Sequence, residues 1–180
     1  MPTITLPDGS TRSFDRPVSP AEVAADIGPG LAKAAVGAKI DGKLVGLDEV
    51  IESNVDLSLI TLPRGKGHAD DDALWLIRHS AAHVMAEAIQ RVYPEAQLVY
   101  GPPVDGGFYY DIAMPEGQSI SSDDFEQIEA IMAEIIAEDL PFVRHACSAE
   151  EGMERLKADA SKYKIDNAQR AIDTGAETLT

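Results

Sequence analysis

From Leu74 to Tyr93 the chain runs without glycine or proline, and its apolar positions recur at helical spacing. At ~100° per residue, Leu74, Ile77, Ala81, Val84, Met85, Ala88 and Val92 fall within about a third of the circumference. No strand carries that period, so the segment predicts a long amphipathic helix that needs an apolar layer to lie on. Nearly opposite the stripe stand His79 and His83, beside Leu76, Ala86 and Gln90. Imidazoles four residues apart project from one helix face. That spacing serves a metal clamp, an acid/base pair or a solvated polar stripe. Lying off the apolar stripe, the two rings read as the lining of a cleft. There a neutral imidazole both accepts and donates a proton near pH 7.

Residues 1–62 read as a compact α+β module. Thr3 to Leu6 is a strand, Pro7-Asp8-Gly9-Ser10 a hairpin turn, and Thr11 to Phe14 the return strand. Ser19-Pro20-Ala21-Glu22 is a capping box with proline at the first helical position. Gly28-Pro29-Gly30 breaks that helix, and Leu31 to Val36 predicts a second short one. Ala38 to Ile40, an Asp41-Gly42 turn and Leu44-Val45 predict a hairpin, and Leu57 to Thr61 a closing strand. Residues 63–72 are polar and aperiodic, and read as a linker that holds a solvated His68. Asp70, Asp71 and Asp72 suit the positive end of the helix that follows.

Beyond the histidine helix, Val99 to Val104 and Phe108 to Ile112 predict two strands joined through Asp105-Gly106-Gly107. Ser121 and Asp124 open a long helix with Phe125, Ile128, Ile131, Met132, Ile135 and Ile136 at helical spacing, ended by Leu140-Pro141. Phe142 to Cys147 reads as a strand, and Ser148-Ala149-Glu150-Glu151 as a further capping box. After Tyr163-Lys164-Ile165 the pattern fades, and no terminal element is expected.

The charge is lopsided. Lys and Arg number 15 against 31 Asp and Glu, a net −16, and the acid excess lies mostly beyond residue 64. Such a surface repels phosphate backbones, which predicts weak nucleic-acid binding for this region alone. It leaves room for a few placed cations to capture one nucleic-acid end. With no apolar run of ~18 residues and no signal-peptide pattern at Met1-Pro2-Thr3, the expectation is a cytoplasmic protein with no membrane partner. Cys147 is the single cysteine, so no intrachain disulfide forms.

A zinc site needs three or four protein ligands, and Ser80 stands where a metalloprotease helix carries glutamate. His145 and Cys147 would share a face of a strand, but nothing in the sequence brings that strand to the helix. The expectation is therefore no metal, with Cys147 a partly buried apolar residue. In Gly106-Gly107-Phe108-Tyr109-Tyr110-Asp111, alternation sets Phe108, Tyr110 and Ile112 on one face and Tyr109 and Asp111 on the other. These are core aromatics with hydroxyls at the rim, or a surface on which a tyrosine meets a nucleobase or sugar. Lys164 reads as a solvated lysine or as a cation that holds a phosphate or ester.

Two sets of motifs resemble bacterial threonyl-tRNA synthetase. Ile4 to Ser10, Val18-Ser19-Pro20 and Asp26 to Lys33 resemble its TGS domain, a β-grasp module. Arg78-His79-Ser80-Ala81-Ala82-His83 and Gly107-Phe108-Tyr109-Tyr110-Asp111 resemble the start of its editing domain. The resemblance implies an α+β chain: a TGS domain at 1–62, a linker at 63–72, and at 73–180 part of an editing domain with a long helix packed on an antiparallel sheet. It implies that His79, His83 and Lys164 act on the seryl ester of mischarged tRNA(Thr), with Tyr110 and Asp111 binding the substrate. The partner implied is the 3′-aminoacyl end of tRNA(Thr).

The family's Cys-x-x-x-His segment, which completes its editing site, is absent from these residues. The resemblance thus implies an N-terminal piece with an incomplete editing site, deacylase activity that is weak or absent, and no cofactor of its own. ATP, Mg and Zn would belong to the aminoacylation domain. An apolar patch and self-association are expected where further strands would pack. The alternative is a non-catalytic TGS-type module that binds an RNA, a nucleotide or a protein, and a small zinc hydrolase ranks behind both.

Overall fold

A computed structural model describes residues 1–62, 70–140, 143 and 145–179. The chain divides into two compact units, Met1–Ile77 and Arg78–Thr180.

In the first unit, β1 (Thr3–Thr5) and β2 (Thr11–Ser13) form a hairpin. Asp8 shapes its turn by accepting from the Ser10 amide at 2.9 Å, and Gly9 takes φ 81°. The capping box forms as read. Ser19 Oγ accepts from the Glu22 amide and Glu22 accepts from the Ser19 amide, opening α1 (Pro20–Ile27). Then come α2 (Pro29–Ala34), β3 (Ala35–Ile40), β4 (Lys43–Val45) and β5 (Val55–Thr61). The second short helix thus starts at Pro29 and stops at Ala34, so Val36, expected in that helix, lies in β3. The pairing of its neighbours Ala35 and Gly37 with β5, across a register shift at Val36, overrides local helical preference.

The sheet order is β2-β1-β5-β3-β4, with β1 and β5 parallel and the other pairs antiparallel. Ile4, Val18, Val23, Ala38, Ile51 and Leu57 form one buried cluster. Burying a side chain of the Ile4, Val23 or Leu57 class contributes about 1.5–3 kcal/mol. Exposed ion pairs such as Arg12–Asp26 contribute little, so the apolar cluster holds this unit together. Helix α3 (Asp71–Val92) begins here. A Cβ on Gly37 would lie 2.5 Å from Leu76, and Lys39 of β3 pairs with Asp72. Asp71 and Asp72, counted with the linker, are therefore helical. Residues 63–69 of that linker, His68 included, lie outside the described residues.

The second unit holds most of α3, then β6 (Gln97–Tyr100), β7 (Pro103–Val104), β8 (Gly107–Phe108), β9 (Asp111–Ala113) and α4 (Phe125–Glu138). After these come β10 (Cys147–Ser148), α5 (Ala149–Ala158), α6 (Lys162–Asp173) and β11 (Thr178–Leu179). The two strands expected between residues 99 and 112 are four. β6 pairs with β9, and β7 with β8 as a hairpin at its tip. Pro102 has no amide to give the ladder, and the register shifts between Leu98 and Tyr100. The alternation along 108–112 nonetheless holds, with Tyr109 and Asp111 exposed and Phe108, Tyr110 and Ile112 half-buried.

Helix α3 is covered on more sides than one stripe allows. Ala82 and Ala86, beside the histidines on the wheel, are buried, whereas Ile77 is exposed. Ala88, Ile89, Ala96 and Ile128 form the second core, joining α3 to α4 and to Ile112 of β9. Phe125 and Ile136, expected to face that core, are 56% and 65% exposed, because α4 buries only one flank. Helix α4 ends at Glu138 with Asp139 left-handed at φ 49°.

Val143, His145 and Ala146 are not in a strand, and among the described residues of the segment expected to be extended only Cys147 is. The chain also carries terminal elements where none was expected. Ile165, Ala168 and Ile172 give α6 a packing stripe, and β11 closes antiparallel on β10. Among the described residues no helix is long and apolar enough to cross a membrane.

Candidate functional site

His79 and His83 meet within α3, with Nε2 atoms 3.1 Å apart. Their ring centres lie 4.8 Å apart at an interplanar angle of 36°. His79 is half-buried and His83 exposed. The ring of His83 still meets solvent, but the atoms packed around the rest of it withhold water. This partial desolvation, with the positive charges of His79 and Lys164, holds its pKa below the ordinary 6.5. The charge of Lys164, exposed in the first turn of α6, is thus felt at an imidazole on α3, some eighty positions earlier in sequence. Helix α6 packs on β6, whose partner β9 begins at Asp111.

Tyr110 precedes that strand. Its ring lies over Gly101 so closely that a Cβ on residue 101 would collide with it, and its burial raises the phenol's pKa. Asp111 is exposed and pairs across the ladder with Tyr100. His79 and His83 therefore meet, with the charge of Lys164 felt at His83, while Tyr110 and Asp111 belong to the adjoining ladder.

Three contacts escaped the sequence reading. The Arg78 guanidinium donates to the Val104 carbonyl at 3.3 Å, tethering the β7–β8 hairpin to α3 one residue before His79. Gly101 seats Tyr110; a glycine before proline beside a strand signals a close approach. A cavity of about 390 Å³ opens beside His83, lined also by Val84, Glu87, Ile135 and Asp139. Arg91 spans Glu87 and Glu138 next to it, with nitrogen–oxygen distances of 2.7 and 2.9 Å. The pairing required the folded approach of α3 to α4.

Residues 2–61 match the TGS domain family. Threonine--tRNA ligase of Nitrosococcus oceani is 48% identical over 92% of this chain, and that of Thiobacillus denitrificans 45% over 98%. The Granulibacter bethesdensis ligase is 42% identical over the whole chain. The chain is homologous to the N-terminal region of bacterial threonyl-tRNA synthetases. It spans about a quarter of these relatives, 24% to 26% of their length. The homology runs through both units, so the imidazole pair on α3 and the lysine on α6 lie within the matched region.

Proposed function

We propose that this chain supplies the part of a threonyl-tRNA synthetase that hydrolyses seryl-tRNA(Thr) formed in error. Serine lacks one methyl of threonine, and a pocket gains only about 1–3 kcal/mol from such a group. A synthetic site therefore mischarges, and a second site must remove the product. The observation that carries this reading is the 3.1 Å approach of His79 to His83, with the charge of Lys164 felt at His83.

In the proposed reaction a water oxygen attacks the ester carbonyl carbon. The imidazole of His79 takes the water's proton, and the Lys164 ammonium orients the attacking water and assists proton transfer. The bond from carbonyl carbon to ribose oxygen breaks, that oxygen gains a proton, and free serine leaves. Tyr110 and Asp111 hold the terminal adenosine. Aminoacylation, with its ATP, Mg and Zn, and most of the tRNA affinity belong to regions of the relatives beyond the match. The working compartment is the cytoplasm.

The test uses seryl-tRNA(Thr) and a non-hydrolysable seryl-amide of 3′-amino-3′-deoxyadenosine. The expectation is slow hydrolysis selective for seryl over threonyl ester, lost in His79→Ala and Lys164→Ala. The analogue should shift the imidazole resonances of His79 and His83. Hydrolysis that His79→Ala leaves untouched, or an analogue that moves neither imidazole, overturns the reading.

A second reading rests on the first unit. A cleft of about 370 Å³ there is lined by Thr5, Lys39, Asp56 and Ser58 among others, and offers hydroxyls and both charges to an RNA, nucleotide or protein. A ligand that stabilises Met1–Ile77 without disturbing the histidines would favour it.

A further inference from the structure

We propose that Arg78 is a positioning residue: its guanidinium pins the β7–β8 hairpin to α3 and, through the hairpin, keeps Tyr110 in place for its ligand. The pin stands by itself; the effect on the ligand rests on the function proposed above.

The hairpin needs a pin because its own ladder is short. Pro103 pairs with Phe108 and Val104 with Gly107, and Pro103 has no amide hydrogen to give. A two-stranded hairpin is marginal in water even when it is longer than this. Gly106, at φ 82°, turns the chain between the strands. Val104 beside that turn is 43% exposed, so apolar cover at the tip is thin.

Arg78 supplies a hold from outside. It is half-buried on α3, and its Nη1 donates to the Val104 carbonyl at 3.3 Å. The donor is charged, which strengthens the bond. The base of the hairpin is held differently, by the Tyr110 ring packed over Gly101. The hairpin is thus clasped at two points, Tyr110 on Gly101 at its base and Arg78 on Val104 beside its turn. Gly107, opposite Val104 in the ladder, stands three residues before Tyr110. At most about 11 Å of extended chain separates them. A hairpin that swings loose from α3 carries that short length with it and disturbs the ring at its end. The imidazoles of His79 and His83 meet within α3 itself, so loss of the pin leaves them together. Positioning and chemistry are therefore separable.

The test compares the whole parent chain with Arg78→Ala and Arg78→Lys. Amide hydrogen exchange of residues 104–108 reads the pin. Titration with the seryl-amide of 3′-amino-3′-deoxyadenosine, followed on the imidazole resonances of His79 and His83, reads the ligand. In Arg78→Ala the hairpin amides should exchange faster, while the melting temperature and the unliganded imidazole resonances stay close to those of the parent. A hairpin in place a tenth of the time binds about tenfold more weakly, and the analogue's Kd should rise by about that factor. Arg78→Lys keeps a charged donor and should recover most of both effects. Hydrolysis of seryl-tRNA(Thr) should show a raised KM with kcat kept. Unchanged exchange in folded Arg78→Ala overturns the pin. Weaker analogue binding with unchanged exchange means that Arg78 meets the ligand directly, and overturns the positioning role. Faster exchange with unchanged affinity overturns the link to Tyr110 alone. An analogue that moves neither imidazole in the parent overturns the editing reading and that link together, and the exchange rates still decide the pin.

Discussion

A methyl group on residue 101 would collide with the ring of Tyr110. Gly101→Ala must therefore move the tyrosine, and overpacking of this kind costs about 1–3 kcal/mol. The melting temperature should drop, and the Tyr110 ring resonances should shift. Asp124 gives the clearest pH signature. It accepts from the Ser121 amide at 2.7 Å and from the Tyr93 hydroxyl, which hold its pKa below the ordinary 3.8. A depressed carboxylate stabilises the fold fully above 3.8 and loses that contribution as pH falls through the lower folded value. Asp124→Asn should flatten this part of the acid-stability profile, measured by denaturant midpoints at stepped pH. Residues of this kind differ in how legible they were. The Ser121–Asp124 cap is written in four consecutive letters, whereas the seat of Tyr110 joins positions in two different strands' flanks. The histidine spacing left three chemistries open.

Helix α4 depends on a narrow face. Ile128 is 6% exposed between α3 and α4, while Phe125 and Ile136 on the same helix are mostly bare. Ile128→Ala should cost about 2–5 kcal/mol, read from urea unfolding of the second unit, and Ile136→Ala should cost far less. Periodicity alone predicted all of these positions as core, because a helical wheel reports which residues share a side and not how wide the covering layer is. Capped and turn-bounded elements were legible for the opposite reason. Ser19–Glu22, Asp8–Gly9 and Asp41–Gly42 settle their conformation within a few residues. The closing strand β11 and helix α6 were missed because their support is distant or small. Thr178–Leu179 is a strand only by pairing with Cys147–Ser148, and the α6 stripe includes an alanine, Ala168, that carries little hydropathy.

At the scale of the whole molecule, charge sets what can approach. At net −16 the chain sets 15 Lys and Arg against 31 Asp and Glu, and among the described residues Arg12, Arg16, Lys39, Arg91 and Arg155 are already paired with carboxylates. Fluorescence anisotropy with a duplex RNA of arbitrary sequence should therefore show no saturable binding at physiological salt, with any weak binding lost on adding salt. Recognition in the proposed function then falls to the acceptor end alone, where Lys164 supplies a local exception to the surrounding field. The two units also put different demands on the sequence. In the first, one five-stranded sheet over α1 gathers a single core, which short motifs announce. In the second, three two-stranded ladders lean on helices, and long-range packing decides most of the detail.

The pairing of β10 with β11 gives this molecule a built-in stopwatch. Cys147 is the only thiol in the chain, and its Sγ rests 3.7 Å from the carbonyl oxygen of Leu179, with Gly152 leaving room beneath. The sulfur is part-buried, so an alkylating reagent reaches it faster when the strand pair parts. The rate of modification, followed by mass spectrometry, therefore times local opening of the α5–α6 segment without any engineered label. Leu179→Ala, which strips the cover from the sulfur, should speed that reaction, and modification at the same rate as the parent would mean that the ladder is not what shields it.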